Sequence, residues 1–142
     1  MAPLPGGSLA ETAGEYAMAG HGSVHWNELN TFAPDAARAF YETVLGWRFD
    51  EVPMEGGSYL VAKQGDAMVA GIFDMKLAGL PPTMPSHWLT YFAVEDVDAS
   101  AQQVVASGGA VLRAPWDVPG VGRFAIIKDA AGAGLGLVTP SA

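Results

Sequence analysis

The chain has no cysteine, which removes disulfides, thiolate metal sites and cysteine nucleophiles at a stroke. Basic residues are scarce: seven Lys and Arg stand against fifteen Asp and Glu, for a formal net charge of −8. Those seven lie singly along the chain, so no basic patch exists to displace the counterions of a nucleic-acid backbone, and no nucleic-acid partner is expected. Long apolar runs are missing too. The longest uncharged stretch, Leu77 to Val94, is broken by Pro81, Pro82 and Pro85, and a helix cannot cross a bilayer through them. Residues 1–20 carry no basic start, and Gly, Pro and Glu interrupt their apolar residues. They read as a flexible N-terminal extension rather than a targeting segment. With no cysteine and no membrane segment, a cytoplasmic location is expected.

What is present suits a folded domain. The 142 residues are 50% hydrophobic, enough to bury one compact core. The stretch "HGSVHWNEL", residues 21–29, offers His21, His25 and Glu28, residue types that zinc, iron and manganese sites use. Strand geometry argues against a site there. Side chains alternate faces along a strand, so His25 and Glu28, an odd number apart, point opposite ways. His21 and His25 share parity but lie about 13 Å apart on an extended chain.

The chain repeats itself. "APDAARAFYETVLGW" (33–47) and "DVDASAQQVVASGGA" (96–110) each place an acid at the second helical position and each end at glycine, as helix ends favour. In the first, Ala37, Phe40, Tyr41, Val44 and Leu45 form the apolar stripe. In the second, Ala101, Val104 and Val105 form a weaker one. Asp35 and Asp98, Gly46 and Gly109, Gly57 and Gly120, and Asp66 and Asp129 are each 63 residues apart, which points to an internal duplication. Around the first helix, "VHWNELNT", "RFDEVP", "SYLVAKQ" and "MVAGIFD" read as strands. Around the second, "HWLTYFAV", "AVLRAPW", "GRFAIIK" and "GLGLVT" do the same. The predicted class is α+β, with two tandem βαβββ modules over residues 21–74 and 87–142 forming one domain. Residues 75–86, rich in Pro and Gly, form a linker expected to lack regular structure.

Across about residues 20–139 the chain resembles the vicinal oxygen chelate superfamily of glyoxalases, bleomycin-resistance proteins and extradiol dioxygenases. The resemblance rests on "WNELNT", "PDAARAFYETVLGW", "GGSYLV", "HWLTYFAVEDVDA" and "PGVGRFAIIKDAAGAGLGL", and points to a subgroup of small two-module glyoxalase-like proteins. It implies that two modules side by side curve their sheets into a cup, with the helices outside. In enzymes of the superfamily the cup holds a divalent metal on the first and last strand of each module. Laid on this chain, those positions fall at or next to Trp26, at its counterpart Leu89, and at Gly136, while the first module's last strand has no donor before Asp74. Tryptophan, leucine and glycine side chains offer such an ion nothing. Neither a metal nor another cofactor is therefore expected.

With Trp26 inward, Glu28 and Asn30 face the cup as well, and His25, Asn27 and Leu29 face the helix side. Trp26, Asn30, Tyr59, His87, Tyr91, Trp116 and Arg123 are the candidate ligand-binding residues. Glu28 is the candidate catalytic group, with a structural ion pair as its plainer alternative. Three functions remain open. The first is metal-independent binding of an unidentified small molecule in the cup. The second is a lyase or isomerase with Glu28 as base on a proton next to a carbonyl. The third is a non-catalytic dimeric scaffold. The expected partner is a small molecule, without a membrane, and the resemblance is compatible with a homodimer.

Overall fold

The computed structural model describes residues 20–141, so the expected N-terminal extension lies, apart from Gly20, outside the described residues. The elements run β1 (Val24–Thr31), α1 (Pro34–Val44), β2 (Arg48–Met54), β3 (Gly57–Gln64), β4 (Ala67–Asp74), β5 (His87–Ala93), α2 (Val97–Ala106), β6 (Ala110–Val118), β7 (Gly122–Lys128) and β8 (Gly134–Pro140). The α+β class and the βαβββ order of each half are as predicted. Among the described residues no helix is long and apolar enough to cross a membrane.

The chain divides into two compact units, one of Trp26–Trp88 and the other of Leu89 onward with the residues just before Trp26. In the first unit the strand order is β2-β3-β4-β1, antiparallel except that β1 runs parallel to β4. The second has the same arrangement, β6-β7-β8-β5, with β5 parallel to β8. A parallel neighbour for the first strand needs a crossover, and the helix together with the two-strand excursion supplies it.

Local chemistry sets the helix ends. Pro34 opens α1, where its missing N–H is no loss, and the Thr31 hydroxyl accepts the Ala33 N–H just ahead of it at 3.1 Å. Asp96 caps α2 by accepting the Ala99 N–H at 3.1 Å. Gly46 and Gly108 follow the two helices in the left-handed region, at φ 69° and 90°. The expected partner of Gly46 was Gly109. Since α2 has 10 residues against 11 in α1, its terminating glycine comes one position sooner.

Two further expectations need correction. Met75–Ala78 form a 3-10 turn in the linker, begun by the Asp74 carboxylate accepting the Lys76 N–H at 3.0 Å and ended at left-handed Gly79. Its Met75 is fully buried, so this stretch packs with the first unit before any proline interrupts it. On α1, only Ala37 and Tyr41 of the predicted stripe pack on the core of Leu29, Leu60 and Ile72. Phe40 and Val44 form a separate i, i+4 row, rotated by one residue, and stay more than half exposed.

His25 carries the one prediction that the fold itself makes. Its Nδ1 is buried without a hydrogen-bond partner among the described residues, and burial lowers its pKa below the ordinary 6.5. The unfolded chain therefore takes up a proton that the folded chain resists. Stability is full above the ordinary value and falls as the pH drops through that value toward the folded one. Thermal melting between about pH 7.5 and pH 5.5 should show a steeper loss for the wild type than for His25→Gln. Equal slopes would contradict this role.

Candidate functional site

Packing against α1 decides which face of the first sheet is open. Leu29, Leu60 and Ile72 lie against Ala37, Tyr41 and Phe49 on the helix side. Alternation then sends Trp26, Glu28 and Asn30 of β1, Tyr59 of β3 and Gly71 of β4 to the opposite face. There they meet. Trp26 Nε1–H donates to Tyr59 Oη at 2.9 Å, and that hydroxyl donates to Glu28 Oε2 at 2.8 Å. Both lengths are those of good hydrogen bonds. The buried Asn30 lies next in the row, its Nδ2 3.5 Å from the Glu28 carbonyl oxygen, at the limit of a hydrogen bond.

Gly71 makes this arrangement possible. It sits beside Glu28 in the β1–β4 ladder and beside Val61 in the β3–β4 ladder, between the strand that carries Tyr59 and the strand that carries Glu28. A Cβ on Gly71 would fall onto the Tyr59 hydroxyl. The bare backbone of β4 lets the tyrosine ring cross the strand and reach the carboxylate. A glycine inside a strand often marks such a close approach.

The second unit repeats the geometry with other chemistry. Val94, Val97, Ala125, Ile127 and Leu137 form its helix-side core, which leaves Leu89, Tyr91, Phe124 and Gly136 on the open face. Tyr91 lies beside Gly136 in the β5–β8 ladder, and a Cβ there would collide with its ring. Phe124 meets Tyr91 edge to face at 5.6 Å and stacks on Trp116 at 5.7 Å. The trio Glu28, Tyr59 and Gly71 thus corresponds to Tyr91, Phe124 and Gly136. The first pair is 63 residues apart and the other two are 65. The constant offset ends because β6 has 9 residues where β2 has 7, so Gly57 corresponds to Gly122, which opens β7, rather than to Gly120, and Asp66 and Asp129 are not equivalent positions. Register also places the paired first-strand and last-strand positions at Glu28 and Tyr91, one pleat beyond Trp26 and Leu89.

Not every expected residue joins these faces. His87 shares the parity of Leu89, but it lies at the strand start with Nδ1 2.9 Å from the Pro85 carbonyl oxygen. Arg123 does not share the open face. Two residues before Ala125, it points to the α2 side, where Nε and Nη2 donate to Asp98 at 2.8 and 3.1 Å and Nη1 donates to Asp117 at 3.1 Å. The Arg123 hydrogen bond holds the Asp98 carboxyl below its ordinary range. His21 Nδ1 accepts the Glu95 N–H at 3.0 Å. The opening motif is therefore split three ways, with His25 on the helix side of β1 and Glu28 on the open side.

The superfamily's divalent ion can be tested against these donors. At the paired positions stand one carboxylate, one buried phenol ring and two glycines, and the space over each glycine belongs to an aromatic ring. Among the described residues no three His, Cys, Asp or Glu side chains come together. This donor set does not fit the ion. Two clefts, of about 370 and 460 Å³, lie around the ends of α2 and α1. Neither is lined by Trp26, Glu28 or Tyr59, so cleft size and polar chemistry part company here. The ordered carboxylate is the better guide, because an acceptor held by a hydroxyl can recognise a donor without a deep cavity.

A double-mutant cycle tests the crossing ring. Gly71→Ala should cost about 1–3 kcal/mol in urea unfolding, the usual range for overpacking. In a Tyr59→Ala background the same change should cost much less, because the atoms it strikes are gone. Additive effects would mean that Tyr59 does not lie over Gly71.

Comparison with known proteins agrees with this architecture. A model of the Glyoxalase/Bleomycin resistance protein/Dioxygenase superfamily matches residues 23–137. "Putative glyoxylase CFP32" of Mycobacterium tuberculosis is 43% identical over 121 residues, 84% of this chain and 45% of that protein. The anthracycline biosynthesis protein DnrV of Streptomyces peucetius is 38% identical over 117 residues, 82% of this chain and 41% of that protein. The chain spans less than half the length of these curated relatives. Among solved structures, methylmalonyl-CoA epimerase from Mycobacterium tuberculosis superposes with a TM-score of 0.56 at 18% identity, covering 84% of this chain and 90% of the other, a likeness of fold alone. By the match over residues 23–137, with the two βαβββ modules just described, the chain belongs to the Glyoxalase/Bleomycin resistance protein/Dioxygenase superfamily.

Proposed function

We propose that the chain is a metal-independent member of its superfamily that binds a small molecule against the open face of the first module. Glu28 receives a hydrogen-bond donor of the ligand, and Trp26 and Asn30 flank it. The observation that carries this reading is the chain of hydrogen bonds from Trp26 through Tyr59 to Glu28. A carboxylate fixed in this way does not have to give up side-chain freedom again when a ligand arrives. The composition supports the reading as well: an aromatic ring, an amide and one acid within a single strand row suit a small body with one or two polar groups.

Glu28 also supports a second reading, as the base of a lyase or isomerase. A carboxylate held at a defined angle beside a ligand can take a proton from a carbon next to a carbonyl, and Tyr59 would then hold the carboxylate in place rather than react. The name of one relative, "Putative glyoxylase CFP32", keeps this chemistry in view. In either case the substrate class is a small carbonyl-bearing or aromatic compound.

Glu28→Gln keeps the shape and removes the charge. A thermal-shift screen of small carbonyl and aromatic compounds should yield compounds that raise the wild-type melting temperature with or without added zinc, nickel, manganese or magnesium. Those compounds should bind Glu28→Gln more weakly by about 1.5–3 kcal/mol, the scale of a hydrogen bond to a charged group. If Glu28 is a base, turnover of a hit is lost in the variant while its binding persists. Hits that need a divalent ion, or that ignore the substitution in both assays, would refute the proposal.

A further inference from the structure

The second module carries a feature that the Glu28 reading does not use. In a regular strand Arg113 and Trp116, three residues apart, would face opposite ways. In β6 the register against β7 slips twice, between Val111 and Arg113 and again between Arg113 and Trp116. Three steps along β6 therefore match two along β7, with Arg113 opposite Ile126 and Trp116 opposite Phe124. Ile126 and Phe124 share the open face, and the bulges bring Arg113 and Trp116 onto it together.

There they stack. The guanidinium carbon of Arg113 lies 3.6 Å from the centre of the Trp116 ring. That distance is the spacing of a guanidinium stacked flat on an indole face. Trp116 in turn stacks on Phe124, with 30° between planes, and Phe124 abuts Tyr91. The column rests on the bare backbone of Gly136. Of the six other Lys and Arg, Arg123 pairs with Asp98 and Asp117, Arg38 with Glu42 and Glu51, and Lys63 with Asp50, while Arg48, Lys76 and Lys128 make no ion pair among the described residues. None of these six lies on an indole as Arg113 does. Arg113 has no carboxylate partner among the described residues and is exposed. In a chain with fifteen acidic residues, a cation laid flat on an indole instead of paired with a carboxylate keeps its N–H fork for something else.

From this geometry we infer that the Arg113–Trp116 stack is a binding site for a planar aromatic carboxylate. A guanidinium lying flat points its N–H groups outward in its own plane, the geometry that receives a carboxylate through two parallel hydrogen bonds. A carboxylate bound in this way is coplanar with the guanidinium. When it is conjugated to an aromatic ring, that ring stays coplanar with the carboxylate and continues the layer parallel to the indole, which a puckered aliphatic ring cannot do. The rigid column has already ordered the arginine, so binding leaves little side-chain freedom to lose. Lysine could supply the charge but neither the flat stack nor the fork.

The test uses the whole chain in a buffer free of carboxylates, with benzoate as probe and cyclohexanecarboxylate, benzamide and inorganic phosphate as comparators. Binding is read by calorimetry and by the indole N–H signal of Trp116 in NMR, assigned with Trp116→Phe. Benzoate should move that signal and bind more tightly than all three comparators. Arg113→Lys, with its melting temperature checked against the wild type, should weaken benzoate by about tenfold or more, the scale of one lost hydrogen bond to a charged group. Equal binding by Arg113→Lys would overturn the site. So would phosphate or cyclohexanecarboxylate matching benzoate, since charge alone would then suffice, and so would benzoate binding that leaves the Trp116 signal unmoved.

Discussion

The site depends on one hydrogen bond, from the Tyr59 hydroxyl to the Glu28 carboxylate, and on the missing side chain that lets it form. Tyr59 stands on β3 and Glu28 on β1, with β4 between them. Only a bare backbone at Gly71 allows the ring to cross. The carboxylate is thereby fixed on the open face of the sheet, and Trp26 fixes the hydroxyl in turn. Each element does what its position requires: α1 covers one face with Ala37 and Tyr41, and the polar row on the other face is left for chemistry.

The second module shows what the same backbone does with apolar side chains. Tyr91 and Phe124 take the places of Glu28 and Tyr59, and Gly136 the place of Gly71. A hydroxyl–carboxylate bond on one sheet becomes an edge-to-face ring contact on the other. The first module can therefore read a donor, while the second presents aromatic surface and, through the bulged β6, a stacked cation. Shared topology did not impose shared side-chain chemistry on the two open faces.

Much of this was legible in the sequence because it depends on local rules. Turn residues and apolar periodicity marked all eight strands and both helices, and strand parity placed Trp26, Glu28 and Asn30 on one face and Leu29 on the other. Parity failed where it had to. Bulges in β6 bring Arg113 and Trp116 to one face; Pro115 in "AVLRAPW" marks an edge strand or a bulge, but not which side chains the bulge turns. Arg123 could not be oriented across the glycines before it, and its carboxylate partners lie 25 residues back and 6 residues back in the chain. The α1 stripe was read too broadly, since a helix on a four-stranded sheet buries one row and leaves the next exposed. Gly71 carries no signal of its own in "MVAGIFD". Its meaning lies in Tyr59, 12 residues back on the neighbouring strand, which only the folded register brings overhead.

If a hydrogen-bonded acid has replaced the superfamily's ion at this face, the metal content of the purified protein is the most direct measurement. Untagged protein, prepared without chelators and then dialysed against zinc, nickel, iron and manganese in turn, should retain only traces by inductively coupled plasma mass spectrometry. Near-stoichiometric retention of one of these metals, lost in Glu28→Gln, would show that Glu28 is an ion's ligand and contradict the account.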